Sequence, residues 1–372
     1  MSDEETGRLG ERIAEARHRA AMTQAELAAT VSLERSALAK IESGSRRVSA
    51  LELARIAVAL DERIEWFVSP APASVVSHRN LQEPGAKSPA IDRLVERLAR
   101  HVEFALAHDE RLALDTPNLA RPESGRAAEK SAADARKLLG LTENAPLLDV
   151  SGHAAKAGLL VFGFDMGADA ADAASILLGQ GGVAVVNGGL HAGRRRLAAA
   201  HELGHYLFAD AYTVDWRIAE QEGDDIWESR LDRFARALLL PPQGLTHAWT
   251  RFRRDSDLRT AAVKAGSVFR VDMSTLARRL RELNLVDATE AHQVRSVRTT
   301  KSDIVEFNLV VWEEISPSPY LPKPYIASIL RLYRNATISG ARATDLLMDA
   351  WNEEDLPVVD PLPDSAIWQF VS

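Results

Sequence analysis

Apolar positions in the first part of the chain recur at helical spacing and are separated by short polar stretches. Between residues 8 and 68 this pattern predicts five short helices. The following stretch "SPAPAS", Ser69 to Ser74, is small and Pro-rich, as linkers are. Helical spacing returns in "AIDRLVERLARHVEFALA" and, after the polar break "DTPNLARPESG", in "RAAEKSAADARKLLGL". The first third of the chain is therefore predicted to be helical.

Short apolar runs bounded by glycine follow, and they change the prediction from helix to strand. These runs are "AGLLVFGF" and "GGVAVVNGG". From Arg194 to about Leu285 the pattern is mostly helical again. In the tail, "FNLVVWEEI" predicts a strand and "YIASILRLYRNATISGARATDLLMDAW" predicts two helices around a turn. The expected fold class is mainly α with a small β-sheet, that is α+β, with an α/β tail at the C-terminus.

The second and third predicted helices have the pattern of a helix-turn-helix. Thr23 can cap the first of them and Glu26 completes a capping box. The expected buried side of this helix consists of Ala25, Leu27, Ala28 and Val31. After a turn near Ser32, the next helix leaves Arg35 and Lys40 outward and ends near Gly44. A helix of this kind can enter the major groove of DNA.

Residues Leu9 to Phe67 resemble the lambda-repressor-like, XRE or Cro/CI-type helix-turn-helix family. The resemblance implies that Arg35, Ser36 and Lys40 face bases and that Gln24 contacts a phosphate of double-stranded operator DNA. Binding to two half-sites favours a homodimer. Charge leaves an alternative open, because residues 1–70 hold ten Lys and Arg against twelve Asp and Glu. Such a fold can instead serve protein contact or dimerisation.

Composition limits the chemistry that the chain can carry. The net charge is −8, which does not suit a protein that binds nucleic acid over its whole surface. There is no cysteine, so disulfides are excluded and any metal must be held by His, Asp or Glu. The N-terminus is acidic without an apolar segment, and no apolar run is long enough to span a bilayer. We therefore expect a cytoplasmic protein without a membrane partner.

The stretch "AAAHELGHYLF" carries candidate metal chemistry. His201 and His205 are four residues apart, so they share one face of a helix and can present two imidazoles to one Zn²⁺. Glu202 is placed to take a proton from the water that the metal activates. Gly204 costs about 1 kcal/mol of helix propensity, which close approach of a neighbouring element would explain. The alternative is an ordinary helix whose histidines are solvated or satisfied in the core.

A second stretch, "WESRLDRFARALLLPP", supplies the third ligand that a catalytic zinc site needs. Glu228 lies 23 residues after His205, and Asp232 is four positions further on and thus on the same helical face. Asp232 can accept the remaining N–H of a ligand histidine, and two His with one Glu leave a fourth position for water and substrate. Taken alone, Glu228 would be a solvated surface charge.

HELGH, the preceding "VAVVN" and "ESRLDRFARALLLPP" together resemble the ImmA/IrrE family of metallopeptidases, from about Ala127 to Leu285. The resemblance implies a zincin-like, gluzincin fold with Zn²⁺ on His201, His205 and Glu228, and Glu202 as the catalytic base. Mn²⁺ is an alternative, since a His₂Glu site accepts either metal. Asp232 departs from the family, which often has Asn at that position. The segment "SVFRVDMSTLARRLRELNLV" resembles the helix-turn-helix-like part that follows the peptidase core.

The expected domains combine both resemblances. They are 1–70 for the helix-turn-helix, 71–126 for a linker and helical connector, 127–245 for the peptidase core, 246–300 for a helical extension and 301–372 for a C-terminal domain. Strand "GGVAVVNGG" is expected either to pair with an extended substrate at the edge of a sheet or to be purely structural. The run Arg194 to Arg196 is expected to be a solvated helix start, or else to attract an acidic partner.

The resemblance implies a regulatory zinc endopeptidase that cleaves a transcriptional repressor or antitoxin in a stress, mobile-element or toxin–antitoxin-like system. The attached helix-turn-helix can bring the protease to an operator, bind a partner repressor, or belong to a chain that is itself cut near Ser69 to Ser74. The alternative is a non-proteolytic XRE-family regulator, an autorepressor or antitoxin, that uses the peptidase-like fold as a sensor or scaffold.

Overall fold

The computed structural model describes most of the chain and divides it into two compact units, Met1–Arg93 and Leu94–Ser372. The described residues are 3–20, 22–60, 62, 64–68, 89–116, 119–167, 171–209, 212–215, 226–310, 314–315 and 319–359. In these ranges helices dominate and one four-stranded sheet accompanies them, which confirms the α+β fold class. The predicted linker at Ser69 to Ser74 lies outside the described residues. The finer division of the second unit stays a prediction.

The first unit contains the five expected helices. They are α1 (Asp3–Arg19), α2 (Gln24–Thr30), α3 (Arg35–Glu42), α4 (Ala50–Ala59) and α5 (Ile64–Val68). The capping box forms, because Thr23 Oγ1 accepts the backbone N–H of Glu26 at 3.2 Å while the Glu26 carboxylate accepts that of Thr23 at 2.7 Å. Leu27, Ala28 and Val31 are buried as expected, whereas Ala25 is exposed.

Three further helices precede the sheet in the chain, and the first of them begins within the first unit. They are α6 (Pro89–His108), α7 (Gly125–Leu138) and α8 (Val150–Lys156). The four strands that follow are β1 (Leu159–Phe164), β2 (Ala173–Leu177), β3 (Gly182–Asn187) and β4 (Tyr212–Asp215). β1 and β3 are the strands that the apolar runs predicted. β2 and β4 were missed. β2 begins with two alanines, which are weak strand formers, and β4 is only four residues long.

The strand order β1-β3-β2-β4 places β3 inside the sheet. β1 pairs with it in parallel and β2 pairs with it antiparallel, so both of its hydrogen-bonding edges are occupied. The expectation that β3 offers an edge to a substrate was therefore wrong, and the purely structural alternative holds. The strands at the two edges of the sheet are β1 and β4.

Apart from β4, the described residues between 192 and 306 are mostly helical. The helices are α9 (Ala192–Leu207), α10 (Ile226–Leu239), α11 (Pro242–Asp255), α12 (Leu258–Phe269), α13 (Met273–Glu282), α14 (Ala288–Ser296) and α15 (Lys301–Glu306). The Pro241-Pro242 pair separates α10 from α11 as expected. Among the described residues, no helix combines the length and the apolarity needed to cross a membrane.

The tail contains the two expected helices, α16 (Lys323–Arg334) and α17 (Gly340–Leu346). The strand expected over "FNLVVWEEI" was wrong for the part that is described: residues 307–308 turn, 309–310 are irregular, and 311–313 lie outside the described residues. Its apolar run is not buried as a unit, since Val310 remains 67% exposed. The described tail meets the sheet through an isolated bridge in which Gly163 and Tyr320 exchange backbone hydrogen bonds of 2.9 and 2.8 Å.

One apolar core runs from α7 through the sheet to α14, and the contact between α9 and α10 lies within it. Gly204 of α9 faces α10 so closely that an added Cβ would lie 3.0 Å from Leu231 Cδ2 and 3.0 Å from Phe234 Cδ1. Both of these side chains are fully buried. This close approach explains why a helix-disfavouring glycine stands inside α9.

Replacing Gly204 with Ala tests this contact. Helix propensity alone would stabilise the variant by about 1 kcal/mol. We expect the opposite, a free energy of unfolding lowered by about 1–3 kcal/mol, because the methyl group must displace buried side chains. Urea denaturation measures the change, with Gly179→Ala as control because a Cβ there meets no atom within 4 Å. A gain in stability for Gly204→Ala would contradict the close contact.

Candidate functional site

Three side chains on α9 form the first half of the candidate site. His201, Glu202 and His205 are 2%, 0% and 0% exposed, respectively. The helical repeat brings the two imidazoles to one side, and their Nε2 atoms lie 3.1 Å apart. Burying two imidazoles and a carboxylate on one helix is costly unless they have partners of matching charge or hydrogen-bonding character. The arrangement of the neighbouring helix supplies such partners.

Helix α10 provides the second half of the site. Glu228 Oε2 lies 3.0 Å from His201 Nε2 and 3.5 Å from His205 Nε2. The three potential ligand atoms thus form a compact triangle. Each comes from a different side chain, and they lie close enough together to hold one metal ion. Glu228 is the most accessible of the three, since its side chain keeps 31% exposure. The structure therefore brings together all three predicted ligands.

The triangle has the dimensions of one face of a tetrahedral zinc site. Zinc bonds of about 2.0–2.1 Å to nitrogen and oxygen place neighbouring ligand atoms about 3.3 Å apart. The observed separations of 3.1, 3.0 and 3.5 Å bracket that value. Three protein ligands cover one face of such a tetrahedron and leave its fourth corner for another molecule.

Hydrogen bonding on the far side of His201 gives an independent reason to expect a cation. His201 Nδ1 lies 3.2 Å from Asp232 Oδ1, and because a carboxylate only accepts, this ring nitrogen must carry the proton. In neutral His201 the Nε2 atom then has a lone pair, which faces the carboxylate oxygen of Glu228. Two lone pairs at 3.0 Å repel each other unless a proton or a metal ion lies between them. The residues present thus fit a divalent metal.

The two carboxylates of the site are kept ionised. Burial raises the pKa of Glu228, but hydrogen bonds and charge from His201 and His205 outweigh it and hold the pKa at about 2. Burial also raises the pKa of Asp232, and the hydrogen bond with His201 together with the charge of Arg236 brings it below its usual range. Both groups are thus anionic at neutral pH. This suits Glu228 as a metal ligand and Asp232 as the hydrogen-bond acceptor of the ligand His201.

A buried charge network behind Asp232 was not anticipated from the sequence. Arg236 Nη1 donates to Asp232 Oδ2 at 3.1 Å, and its Nε donates to Glu282 Oε1 of α13 at 2.9 Å. Arg279, which is fully buried, donates to Glu282 at 3.1 Å and to Glu129 of α7 at 3.1 Å. The network joins α10, the helix of Glu228, to α13 and to α7. The sequence signals are the i, i+4 spacing of Asp232 and Arg236 and the i, i+3 spacing of Arg279 and Glu282.

The arginines that open α9 are not the expected solvated helix start. Arg194 pairs with Asp172 at 2.8 Å. Arg195 and Arg196 are 5% and 0% exposed, and Arg196 forms an ion pair with Glu314. Arg195 donates to the backbone oxygens of Gly188 and Leu190 at 3.0 and 2.9 Å. These contacts fasten α9 to the residues that flank the sheet strands and to the tail, so the run does not serve an acidic partner.

The predicted DNA-contacting residues lie on the first unit. Arg35, Ser36 and Lys40 are exposed on α3, as expected for a helix that enters a groove. Gln24, at the start of α2, is half-buried and its Nε2 donates to Glu42 Oε2 at 2.8 Å. Glu42 also accepts from Arg17 Nε at 2.7 Å. Gln24 is therefore engaged inside the unit, and reaching a phosphate would require it to exchange this bond.

Comparison with known proteins supports both halves of this description. Residues 13–67 match the family described as helix-turn-helix, and residues 154–281 match the family described as IrrE N-terminal-like domain. A search of curated proteins found no match. A crystal structure of Bacillus thuringiensis PlcR in complex with the peptide PapR7 and DNA is similar at 12% identity, over 92% of this chain and 93% of that chain. Its TM-score of 0.18 is too low to carry an argument about fold.

The second match spans β1 to α13 and contains every residue of the His201, His205 and Glu228 triangle. The first match spans the capping box and the exposed face of α3. The chain thus combines an N-terminal helix-turn-helix domain of the XRE type with an IrrE N-terminal-like, peptidase-type domain.

Proposed function

We propose that this protein is a zinc-dependent regulatory endopeptidase with an attached DNA-binding domain. Its substrate class is a transcriptional repressor or antitoxin protein of a stress, mobile-element or toxin–antitoxin-like system. The observation that carries the proposal is the triangle of His201, His205 and Glu228, whose edges of 3.1, 3.0 and 3.5 Å suit one zinc ion. Mn²⁺ can occupy the same donor set.

Zinc held by these three side chains would act as a Lewis acid that makes a water molecule a nucleophile near neutral pH. Glu202 would be the general base, which accepts a proton from the attacking water and passes it to the leaving amine. A buried carboxylate beside two buried imidazoles has this chemical use, whereas a scaffold has no need for it. The intact Glu202 therefore favours the enzyme over the non-proteolytic regulator.

Asp232 and Arg236 orient the site without touching the substrate. The carboxylate of Asp232 fixes the ring of His201 and the proton on Nδ1, so that the lone pair of Nε2 points to the side of His205 and Glu228. Arg236 holds the other oxygen of Asp232 at 3.1 Å. Because Arg236 and its partner Glu282 belong to different helices, the orientation of His201 depends on the packing of α13 against α10.

A protein substrate requires a place for an extended chain, and β4 is suited to this role. It is an edge strand, it follows the metal-carrying helix α9 in sequence, and its partner on the inner side is β2. Extended peptides add to such edges through backbone hydrogen bonds. This assignment replaces the expectation that β3 receives the substrate.

The helix-turn-helix domain would bind operator DNA in the cytoplasm through Arg35, Ser36 and Lys40, with Gln24 at a phosphate. The exposed face of α3 supports this role, and two half-sites would be met by a homodimer. The domains proposed are those expected from the sequence: residues 1–70 for DNA, 71–126 as connector, 127–245 for the peptidase core, 246–300 as extension and 301–372 as a further domain.

Glu202→Gln separates catalysis from folding and metal binding. Removing a general base costs about 10²–10⁴-fold in rate, so we expect cleavage to be lost while zinc content stays at the wild-type level. Wild type and variant are expressed in matched cells, and new protein N-termini are mapped by mass spectrometry. We expect a repressor or antitoxin cut only by the wild type.

Glu110→Gln is the matched control, because Glu110 is an exposed carboxylate of the same unit. It should produce the same N-termini as the wild type. Identical N-termini from the wild type and Glu202→Gln would refute the endopeptidase and favour the regulator that uses the fold as a scaffold.

Arg35→Ala and Lys40→Ala test the DNA-binding face. The operator is first selected from random duplexes by the wild-type protein, and affinities are then measured at one fixed salt concentration. A lost base contact costs about 1–3 kcal/mol, so we expect binding about 5- to 150-fold weaker. Arg55→Ala is the control, since Arg55 is an exposed arginine on α4. Equal affinities for all three variants would contradict the assignment.

A further inference from the structure

A groove of about 450 Å³ lies along α13 and α14 and is distinct from the metal triangle. Its lining consists of Ser274, Ala277, Arg278, Arg281, Ala288, Ala291, His292 and Arg295. The small side chains leave room for a ligand, and a volume of this order is typical of small-molecule sites. Three arginines and one histidine line the groove, and no carboxylate does. The lining is thus strongly basic on a chain whose net charge is −8.

The charges of this groove are only partly compensated by the protein. The side chain of Arg281 makes no hydrogen bond or ion pair with any described residue and is exposed. Arg295 Nε donates to the neutral Ser274 Oγ at 3.1 Å, which leaves its charge without a carboxylate. Arg278 lies 3.5 Å from Asp232 Oδ2. Placing like charges around one concavity is unfavourable, and an anion bound between them would relieve the repulsion.

The chemistry of the lining favours phosphate over a peptide. Guanidinium groups bind phosphate oxygens through two parallel hydrogen bonds, which makes arginine the preferred residue for this anion. A peptide strand needs an open sheet edge, and here both walls are helices. A peptide helix needs large apolar anchors in its groove, and the apolar lining residues are only Ala277, Ala288 and Ala291.

The surroundings of the groove favour a small anion over a nucleic acid. Glu282 ends α13, Asp287 caps α14 and Glu290 lies in the first turn of α14. A nucleic acid places one phosphate after another along a surface and gains affinity by contact with a continuous series of cations. Asp287 and Glu290 interrupt such a series along α14. A compact anion needs only the basic lining itself.

We propose that this groove is a binding site for a small phosphate-bearing anion, held by the guanidinium groups of Arg281 and Arg295 with Arg278 at its inner side. The site does not use the metal triangle, so it stands independently of the peptidase activity. Its ligand class is a phosphorylated metabolite or free polyphosphate, whose shared chemistry is a dianionic phosphate group.

The test is calorimetric titration of the metal-free, full-length protein with inorganic pyrophosphate. Metal-free protein is used because pyrophosphate itself chelates zinc. The variant is Arg281→Ala/Arg295→Ala, which spares Arg278 because that residue contacts Asp232. The control is Arg251→Ala/Arg254→Ala, which removes two exposed arginines from α11 and the same charge. We expect one site per chain in the wild type and control, and at least tenfold weaker binding in the variant.

Thermal unfolding provides a second readout that also verifies folding of the variant. Pyrophosphate should raise the Tm of the wild type and the control, and leave that of Arg281→Ala/Arg295→Ala unchanged. Absence of binding to the wild type, or equal weakening in variant and control, would overturn the proposal. Binding of duplex DNA would also overturn the proposal if it requires Arg281 and Arg295 and is not displaced by pyrophosphate. That result would assign the groove to nucleic acid.

A further titration with a phosphate monoester such as glycerol 3-phosphate distinguishes a site for phosphorylated metabolites from a site for polyphosphates. Binding of both ligands with the same loss in the variant identifies the phosphate group as the recognised feature. Binding of pyrophosphate alone assigns the site to polyphosphates. Both results support the proposed anion site, and they distinguish its two sources of ligand.

Discussion

The close contact of α9 with α10 at Gly204 determines the geometry of the candidate site. Gly204 stands between the two histidines in the helix, and the absence of its side chain lets Leu231 and Phe234 approach within van der Waals range. At that separation the carboxylate of Glu228 reaches both imidazoles, at 3.0 and 3.5 Å. A wider helix pair would leave two buried imidazoles without the anion that makes a divalent metal site of them.

Charged side chains keep this helix pair in place. Arg236 and Arg279 tie α10 to α13 and α7, while Arg195 and Arg196 tie α9 to the sheet and the tail. Breaking one partner of a buried ion pair is strongly destabilising, because it leaves an uncompensated charge in a medium of low dielectric constant. Apolar packing tolerates repacking. The polar network therefore constrains the relative positions of the helices more narrowly than apolar packing does. This explains how parts of the chain far outside the metal-binding segments support the position of His201.

Features that depend on neighbouring residues were predictable from the sequence. The capping box of Thr23 and Glu26 and the shared face of His201 and His205 follow from helical spacing within four residues. The spacing of Glu228 and Asp232 supplied the orientation of that helix, and the family resemblance supplied the expectation that it meets α9. Contacts across long separations were not predictable. Arg196 pairs with a residue 118 positions away and Arg279 with one 150 positions away. The interior position of β3 likewise depends on strand order, which apolar patterning does not encode.

The most direct test of the account is the zinc content of the purified protein, measured by elemental analysis after zinc is supplied and the excess is removed. His205→Ala removes one imidazole from the triangle, and His247→Ala removes one from α11, outside it. We expect about one zinc per chain in the wild type and in His247→Ala, and almost none in His205→Ala. A wild-type protein with almost no zinc, or equal zinc in His205→Ala, would contradict a metal centre at this triangle.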